Sequence, residues 1–259
     1  MKIAIIGAGN MGSAIARGIS KGSIFKADDI HVSDPSAKSL EQIKAFNPNI
    51  KTFQANKDAI RGTDIVLLAV KPWLVGDVAK EIADDLTEEQ ILISIAAGVS
   101  IAQLQELFAK KSLFRIVPNT AIDVLQSVNI IATANTTEEQ QQLVMNIFNE
   151  LGKSYFVPET QLNSLMSLSS CGIAYAFRYI RAATEGGVEM GIYPDVAKQV
   201  VLQTLRGAIE LLEKNNTHPE AEIDKVTTPG GITIKGLNEM EANGFTNSVI
   251  KGLKASLIK

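Results

Sequence analysis

The sequence predicts an α/β protein: a doubly wound, mostly parallel sheet over residues 1–157, followed by an all-helical region over 158–259. Three observations carry this. Apolar runs of strand length alternate with helical patterns from Lys2 to Val157, the alternation that builds a parallel sheet covered on both faces. The first run, Ile3-Ala4-Ile5-Ile6, ends in the glycine turn Gly7-Ala8-Gly9-Asn10-Met11-Gly12, which opens a helix. After Pro158 the strand patterns stop and helical periodicity takes over.

The glycine turn sets the functional expectation. Gly7, Gly9 and Gly12 form G-x-G-x-x-G between a strand and a helix. The first glycine allows the tight turn, the second a close approach to a pyrophosphate, and the third close strand–helix packing. The helix N-terminus adds free N–H groups and a positive dipole end. Asp34 follows at the end of the second strand, at the spacing of the acidic residue that meets a ribose in such sites. The first 157 residues are therefore expected to be a Rossmann dinucleotide-binding domain.

The remaining elements follow in order. A helix from Met11 to about Lys21 leads to strand Ile30–Ser33, then a polar helix near 36–46, a short strand at Lys51–Phe53 and a helical turn from Asn56. The run 64–70 reads as a buried strand closed by Lys71-Pro72, with a helix over 73–84 and a strand over 91–95 after it. Ser100 and Gln103 have the spacing of a capping box. Strands at 113–117, 128–133 and 154–157 flank a helix over 138–150 that Thr136 or Thr137 caps. In the helical region, patterns run over 161–190, 194–214 and 219–226, with a second capping-box spacing at Thr217 and Glu220. The 194–214 segment carries Val196, Val200, Val201, Leu202, Leu205, Ile209, Leu211 and Leu212 on more than one face. A helical half of this size can scarcely surround such a helix alone, so a subunit interface, and hence a homodimer or assembly of dimers, is expected over the alternative of a large monomer core.

Composition excludes several function classes. A net charge of −3 gives no attraction to nucleic acid or anionic membrane. The longest apolar stretch, 91–102, is broken by Ser94, Gly98 and Ser100 and is too short for a membrane span. The chain enters its first strand without a cationic and apolar leader, so no signal peptide is expected. One cysteine, Cys171, rules out an intrachain disulfide and fits a reducing cytoplasm. With two scattered histidines, His31 and His218, no N/S metal cluster is expected.

Late in the chain, Thr227-Thr228-Pro229-Gly230-Gly231-Ile232-Thr233 places a Pro-Gly-Gly turn among three threonines between two helices. Such a turn suits either a nest of N–H groups for a small carboxylate or a plain helix connection with threonine caps. Together with Gly7–Gly12, Ala69-Val70-Lys71-Pro72, Ala96-Ala97-Gly98, Val117-Pro118-Asn119-Thr120 and Leu168-Ser169 before Gly172 and Ala174-Tyr175, it resembles the pyrroline-5-carboxylate reductases over essentially the whole chain. The resemblance implies a Rossmann domain joined to a helical dimerisation domain that intertwines with a partner subunit. It implies NAD(P)H-dependent reduction of a cyclic imine bearing a carboxylate to L-proline, the last step of proline biosynthesis. By the family pattern Thr233 is the catalytic hydroxyl near the ring nitrogen. Thr228, Gly230, Gly231, Ile232 and Thr233 hold the substrate, with the N–H groups of Gly231, Ile232 and Thr233 on its carboxylate. Asn56, Ala69–Pro72 and Ala96–Gly98 line the cofactor groove with Gly7–Gly12, Ser33 and Asp34.

The chain departs from the family pattern at Ser170-Cys171-Gly172-Ile173, where Gly-Ser-Gly-Pro is usual, and at Lys225, Ala121 and Arg181. The alternatives are a reductase of another cyclic imine, a β-hydroxyacid dehydrogenase-like enzyme, or a non-catalytic cofactor-binding regulator. The dehydrogenase reading lacks its lysine, since none occurs between Lys153 and Lys198. NADP is the expected cofactor, with NAD also accepted. Asp34 favours the ribose hydroxyl of NAD, whereas Ser33, Ser36 and Lys38 suit a phosphate if Pro35 turns Asp34 away. On this reading, replacing Asp34 by serine shifts preference toward NADPH.

Overall fold

The computed structural model describes residues 1–109 and 111–257, so the last two residues of the expected helical region lie outside the described residues. Contacts within the chain divide it into two compact units, Met1–Ser170 and from Cys171 onward. The division falls a little after the 157/158 boundary read from the sequence.

In the first unit the elements run β1 (Ile3–Ile6), α1 (Asn10–Ile19), β2 (Ile30–Ser33), α2 (Ala37–Phe46), β3 (Lys51–Phe53), α3 (Asn56–Ile60), β4 (Ile65–Leu68) and α4 (Val75–Ile82). They continue as β5 (Ile91–Ser94), α5 (Ile101–Phe108), β6 (Ser112–Val117), β7 (Ser127–Ala134), α6 (Glu138–Asn149), β8 (Gly152–Phe156) and α7 (Leu162–Met166). Among the described residues the strands form one sheet in the order β3-β2-β1-β4-β5-β6-β7-β8. All neighbours are parallel except β6 and β7, which pair antiparallel from Leu113↔Ala134 to Val117↔Ile130. Every residue of β1, β2, β4 and β5 is buried, as strands covered on both faces require. Alternation divides their side chains between two layers. Ile3, Ile5, Val32, Ile65, Leu67, Ile93 and Phe114 pack with α1 and α6. Ala4, Ile6, Val66, Leu68, Leu92 and Leu113 pack with α4 and α5.

Local signals explain where helices begin. Ser100 and Gln103 form a reciprocal capping box on α5, and Thr137 with Gln140 forms another on α6. Glu159 adds a carboxylate at the start of α5: its Oε1 accepts the Ile101 N–H at 2.8 Å and the Arg115 guanidinium at 2.7 Å.

The helix expected over 161–190 runs without a break from Leu162 to Glu189, but it is not α-helical throughout. It begins as α7, passes through a π-helical turn at Ser167–Cys171, and resumes as α8 (Gly172–Glu189). The hydroxyls of Ser167 and Ser169 bond back to the carbonyls of Asn163 and Leu165, a contact that loosens a helix. The Ser169 carbonyl is then taken by Asn119 Nδ2 at 3.4 Å.

The second unit is helical: α8, α9 (Pro194–Asn215), α10 (Pro219–Val226), α11 (Ile232–Ala242) and α12 (Phe245–Ala255). α8 and α9 pack tightly at Gly187, where a Cβ would stand 2.9 Å from that of Ala197. The second capping box expected at Thr217 and Glu220 does not form. Pro219 takes the first helical position, which makes His218 the cap, and its Nδ1 accepts the Glu220 N–H at 3.2 Å. Thr217 Oγ1 instead donates to Glu222 Oε1.

Candidate active site

β1 lies between β2 and β4, where the strand order reverses, and a cleft of about 860 Å³ opens at the carboxyl ends of these strands. Gly7, Gly9, Asn10 and Met11 line it from the first turn, and Ser33 and Asp34 from the end of β2. Asn56 lines it from α3, Ala69–Pro72 from beyond β4, and Ala97 from beyond β5. Ala8, Gly12, Ala96 and Gly98, expected at the groove, do not line it. Ala8 and Ala96 are buried beside it, and Gly12 lies under the turn.

Two of the glycines have steric reasons. Gly7 has φ +105°, and a Cβ there would stand 2.6 Å from the Ala69 carbonyl oxygen. A Cβ on Gly12 would run into the Gly7 carbonyl oxygen. Around Gly9 the opposite holds, because a Cβ would project into open space within the cleft. Gly9 caps α1 with no side-chain hydrogen bond among the described residues, which leaves the first N–H groups of α1 available to a ligand.

The side of the cleft formed by Ser33 and Asn56 is a frame of hydrogen bonds. Ser33 Oγ donates to Asn56 Oδ1 at 2.8 Å, and Asn56 Nδ2 donates to Glu81 Oε2 at 2.7 Å. This chain fixes which way the Asn56 amide faces. Asp34 Oδ2 accepts the Ala8 N–H at 2.7 Å, and its Oδ1 accepts the Ser36 N–H at 2.8 Å.

In the second unit α10 ends at Val226, and residues 227–231 turn into α11. Gly230 has φ +69°, the conformation glycine takes at least cost. Gly231 has no room for a side chain, since its Cβ would lie 2.6 Å from Thr228 Oγ1. Its N–H donates to the Thr228 carbonyl at 2.9 Å, so this expected carboxylate donor is already engaged. The donors left at the start of α11 are the N–H groups of Ile232 and Thr233. The hydroxyls of Thr228 and Thr233 are exposed and make no hydrogen bond among the described residues.

Comparison with known proteins places this chain. Residues 159–259 match the model for pyrroline-5-carboxylate reductase dimerisation, and residues 2–98 match that for NADP oxidoreductase, coenzyme F420-dependent. Pyrroline-5-carboxylate reductase 2 of Dictyostelium discoideum is 34% identical over 99% of this chain and 91% of its own length. The chain belongs to the pyrroline-5-carboxylate reductase family. Reductase 3 of Danio rerio is 32% identical over 99% of the chain and 89% of its own length. The chain spans about half the length, 48%, of Dictyostelium reductase 1, to which it is 37% identical. A Plasmodium falciparum pyrroline carboxylate reductase solved with NADP bound superposes with a TM-score of 0.90 at 30% identity, covering 99% of this chain and 95% of that one.

The residues of this family member fit a nicotinamide dinucleotide. The open space at Gly9, which a Cβ would fill, and the uncapped start of α1 are what a pyrophosphate needs. Among the described residues no group of three metal-ligating side chains occurs.

Sequence reasoning missed Asp77, Glu81, Val117, Pro118, Met166 and Ser170 as lining residues. Pro118 was visible within the family-like Val117–Thr120 motif but had no place assigned. Ser170 lies within the π turn, and its Oγ donates to the Pro118 carbonyl at 3.1 Å.

Proposed function

We propose that this chain reduces 1-pyrroline-5-carboxylate to L-proline, the last step of proline biosynthesis, with NADPH as its cofactor. One observation carries the reading. A chain whose relatives bear that name joins a phosphate-accepting glycine turn to the Pro229–Thr233 turn, whose unpaired donors suit a small carboxylate.

NADPH, when bound, supplies the hydride. The first unit binds the dinucleotide: the start of α1 faces the pyrophosphate, and the Ser33–Asn56–Glu81 frame lines the adenosine side. In the second unit, the Ile232 and Thr233 N–H groups and the Thr228 hydroxyl hold the substrate carboxylate, aided by the positive end of α11. Thr233 Oγ then serves as the hydrogen-bonding group at the ring nitrogen, which carries the proton while the adjacent carbon accepts the hydride. Orientation and a favourable field suffice for this reaction, and no protein nucleophile is required.

The exposed apolar faces of the second unit and its match to a dimerisation model support a homodimer or an assembly of dimers. With its free Cys171, we assign the enzyme to the reducing cytoplasm.

The test is a turnover assay with racemic pyrroline-5-carboxylate. NADPH oxidation should require that substrate and yield an equal amount of proline. Comparable turnover with 3-hydroxyacids would assign the chain to dehydrogenase chemistry. Cofactor binding without turnover would make it a regulator.

A further inference from the structure

We propose that Asp34 is a positioning residue of the phosphate-binding turn and does not select between the 2′-hydroxyl of NADH and the 2′-phosphate of NADPH. The inference rests on the reading of the cleft as a nicotinamide dinucleotide site. An acidic residue at this place ordinarily turns its carboxylate to the ribose and disfavours a 2′-phosphate. Here both carboxylate oxygens are directed at backbone. Oδ2 accepts the Ala8 N–H at 2.7 Å and Oδ1 the Ser36 N–H at 2.8 Å. Both are short, charge-assisted bonds; the one to Ala8 ties together segments 26 residues apart, and the one to Ser36 closes the local turn.

The bond to Ala8 has a structural purpose. Ala8 is 5% exposed, so its N–H needs a partner within the protein. Two neighbouring contacts hold the same turn: the Gly7 N–H donates to the Ser33 carbonyl at 2.8 Å, and Ser13 Oγ donates to the Ala8 carbonyl at 2.8 Å. The end of β2 therefore clamps the turn that follows β1, immediately before the N–H groups of α1. The carboxylate is itself anchored, because the Asp34 N–H donates to the Phe53 carbonyl at 3.2 Å at the end of β3. Pro35 limits the turn between Asp34 and Ser36.

The other carboxylates lining the cleft are also met by protein donors. Glu81 accepts from Asn56, and Asp77 pairs with Lys80 at 3.3 Å. Backbone N–H groups against Asp34 offset the negative potential it would otherwise present to a phosphate.

The experiment measures binding of NADPH and NADH, with 2′,5′-ADP and 5′-AMP as probes, by fluorescence and calorimetry on the full chain and on Asp34→Ser and Asp34→Asn. Asp34→Ser should weaken both cofactors alike, by about tenfold or more, as expected for loss of a charged hydrogen bond. The NADPH/NADH ratio should stay within about threefold of the parent's, and the loss should appear in the KM of both cofactors. Asp34→Asn keeps one carbonyl acceptor and nearly the same shape, so its affinities should fall between those of the parent and the serine variant. It also supplies the ratio if the serine variant does not fold. A shift of tenfold or more toward NADPH in either variant would show Asp34 to be a ribose reader and overturn the proposal. Unchanged affinity for both cofactors would overturn it equally, by showing that the clamp is dispensable. Failure of the parent chain to bind either cofactor is seen before any variant is compared, and would instead defeat the reading of the cleft.

Discussion

The sheet unit and the helical unit are built from similarly apolar sequence but dispose of it in opposite ways. In the first unit β1, β2, β4 and β5 bury every residue, and Phe114 on β6 is 0% exposed. In the second, α8 and α9 each bury one residue, Gly187 and Ala197, among the described residues. Phe177 on α8 is 61% exposed, and Val200 and Ile209 on α9 are each 58% exposed. At 100° per residue, Val196, Val200 and Leu211 form one stripe of α9, and Leu202 and Ile209 form another on the opposite side. Both stripes face solvent in the single chain. The sheet completes its core within the chain, whereas apolar area on this scale in the helical unit marks an interaction surface. A second copy of the chain is the occupant we propose, in keeping with the dimerisation-model match.

The comparison is sharpened first by paired core substitutions. Phe114→Ala should destabilise by about 3–5 kcal/mol in denaturant melts, from lost burial and the cavity left behind. Phe177→Ala should change the stability of the sheet unit little and act on assembly. Equal costs for the two substitutions, independent of protein concentration, would break the distinction.

Thr233→Ala probes chemistry in the exposed unit. It should lower kcat by about 10- to 1,000-fold, the range for one positioned hydrogen-bonding group. The NADPH dissociation constant should stay put, because the proposed cofactor cleft is lined by the first unit. Retention of full activity would reduce this hydroxyl to an ornament of the helix start.

Ile209→Glu places a charge on one stripe of α9. Sedimentation should show the assembly weakened by about tenfold or more, the scale of an interface anchor. Cofactor binding to the sheet unit should persist. If the parent protein itself sediments as a ~28 kDa species that remains active on dilution, the assembly half of the comparison falls.

The smallest effect concerns pH. His31 on β2 is buried, with Nδ1 2.8 Å from the Ala59 carbonyl and Nε2 without a partner among the described residues. Burial lowers its pKa, with the Ala59 contact opposing that shift. A lowered histidine pKa means the unfolded chain takes up the proton first. This contribution to stability is therefore present above the ordinary value of about 6.5 and is lost as pH falls below it. The slope from one group is at most about 1.4 kcal/mol per pH unit. His31→Gln should flatten the acid limb of stability between about pH 6.5 and 5. An unchanged limb would assign the acid sensitivity to carboxylates.

Much of the site was legible because its signals are local. The β1 run with Gly7 and Gly12 defines the turn by steric need, Gly9 leaves open space beside it, and Ser100 and Thr137 announce helix starts through neighbours three residues away. Signals with two local solutions were less decisive. Thr217 and His218 compete to cap α10, and only the position of Pro219 in the folded helix settles the choice. The π turn at Ser167–Cys171 resembles ordinary helix in sequence, and the contact it makes with Asn119 comes from about fifty residues away.

By itself, then, the sequence determined the alternation of strands and helices, the glycine turn, and the Pro229–Thr233 turn. Each follows from the conformational limits and hydrogen-bonding needs of neighbouring residues. Tertiary structure decided where the polar groups point. The Asp34 carboxylate clamps Ala8, and Ser170 lines the cleft with its hydroxyl on the Pro118 carbonyl. The physical reason is that a buried or half-buried donor must find an acceptor, and which acceptor lies within 3 Å is set by how distant segments pack.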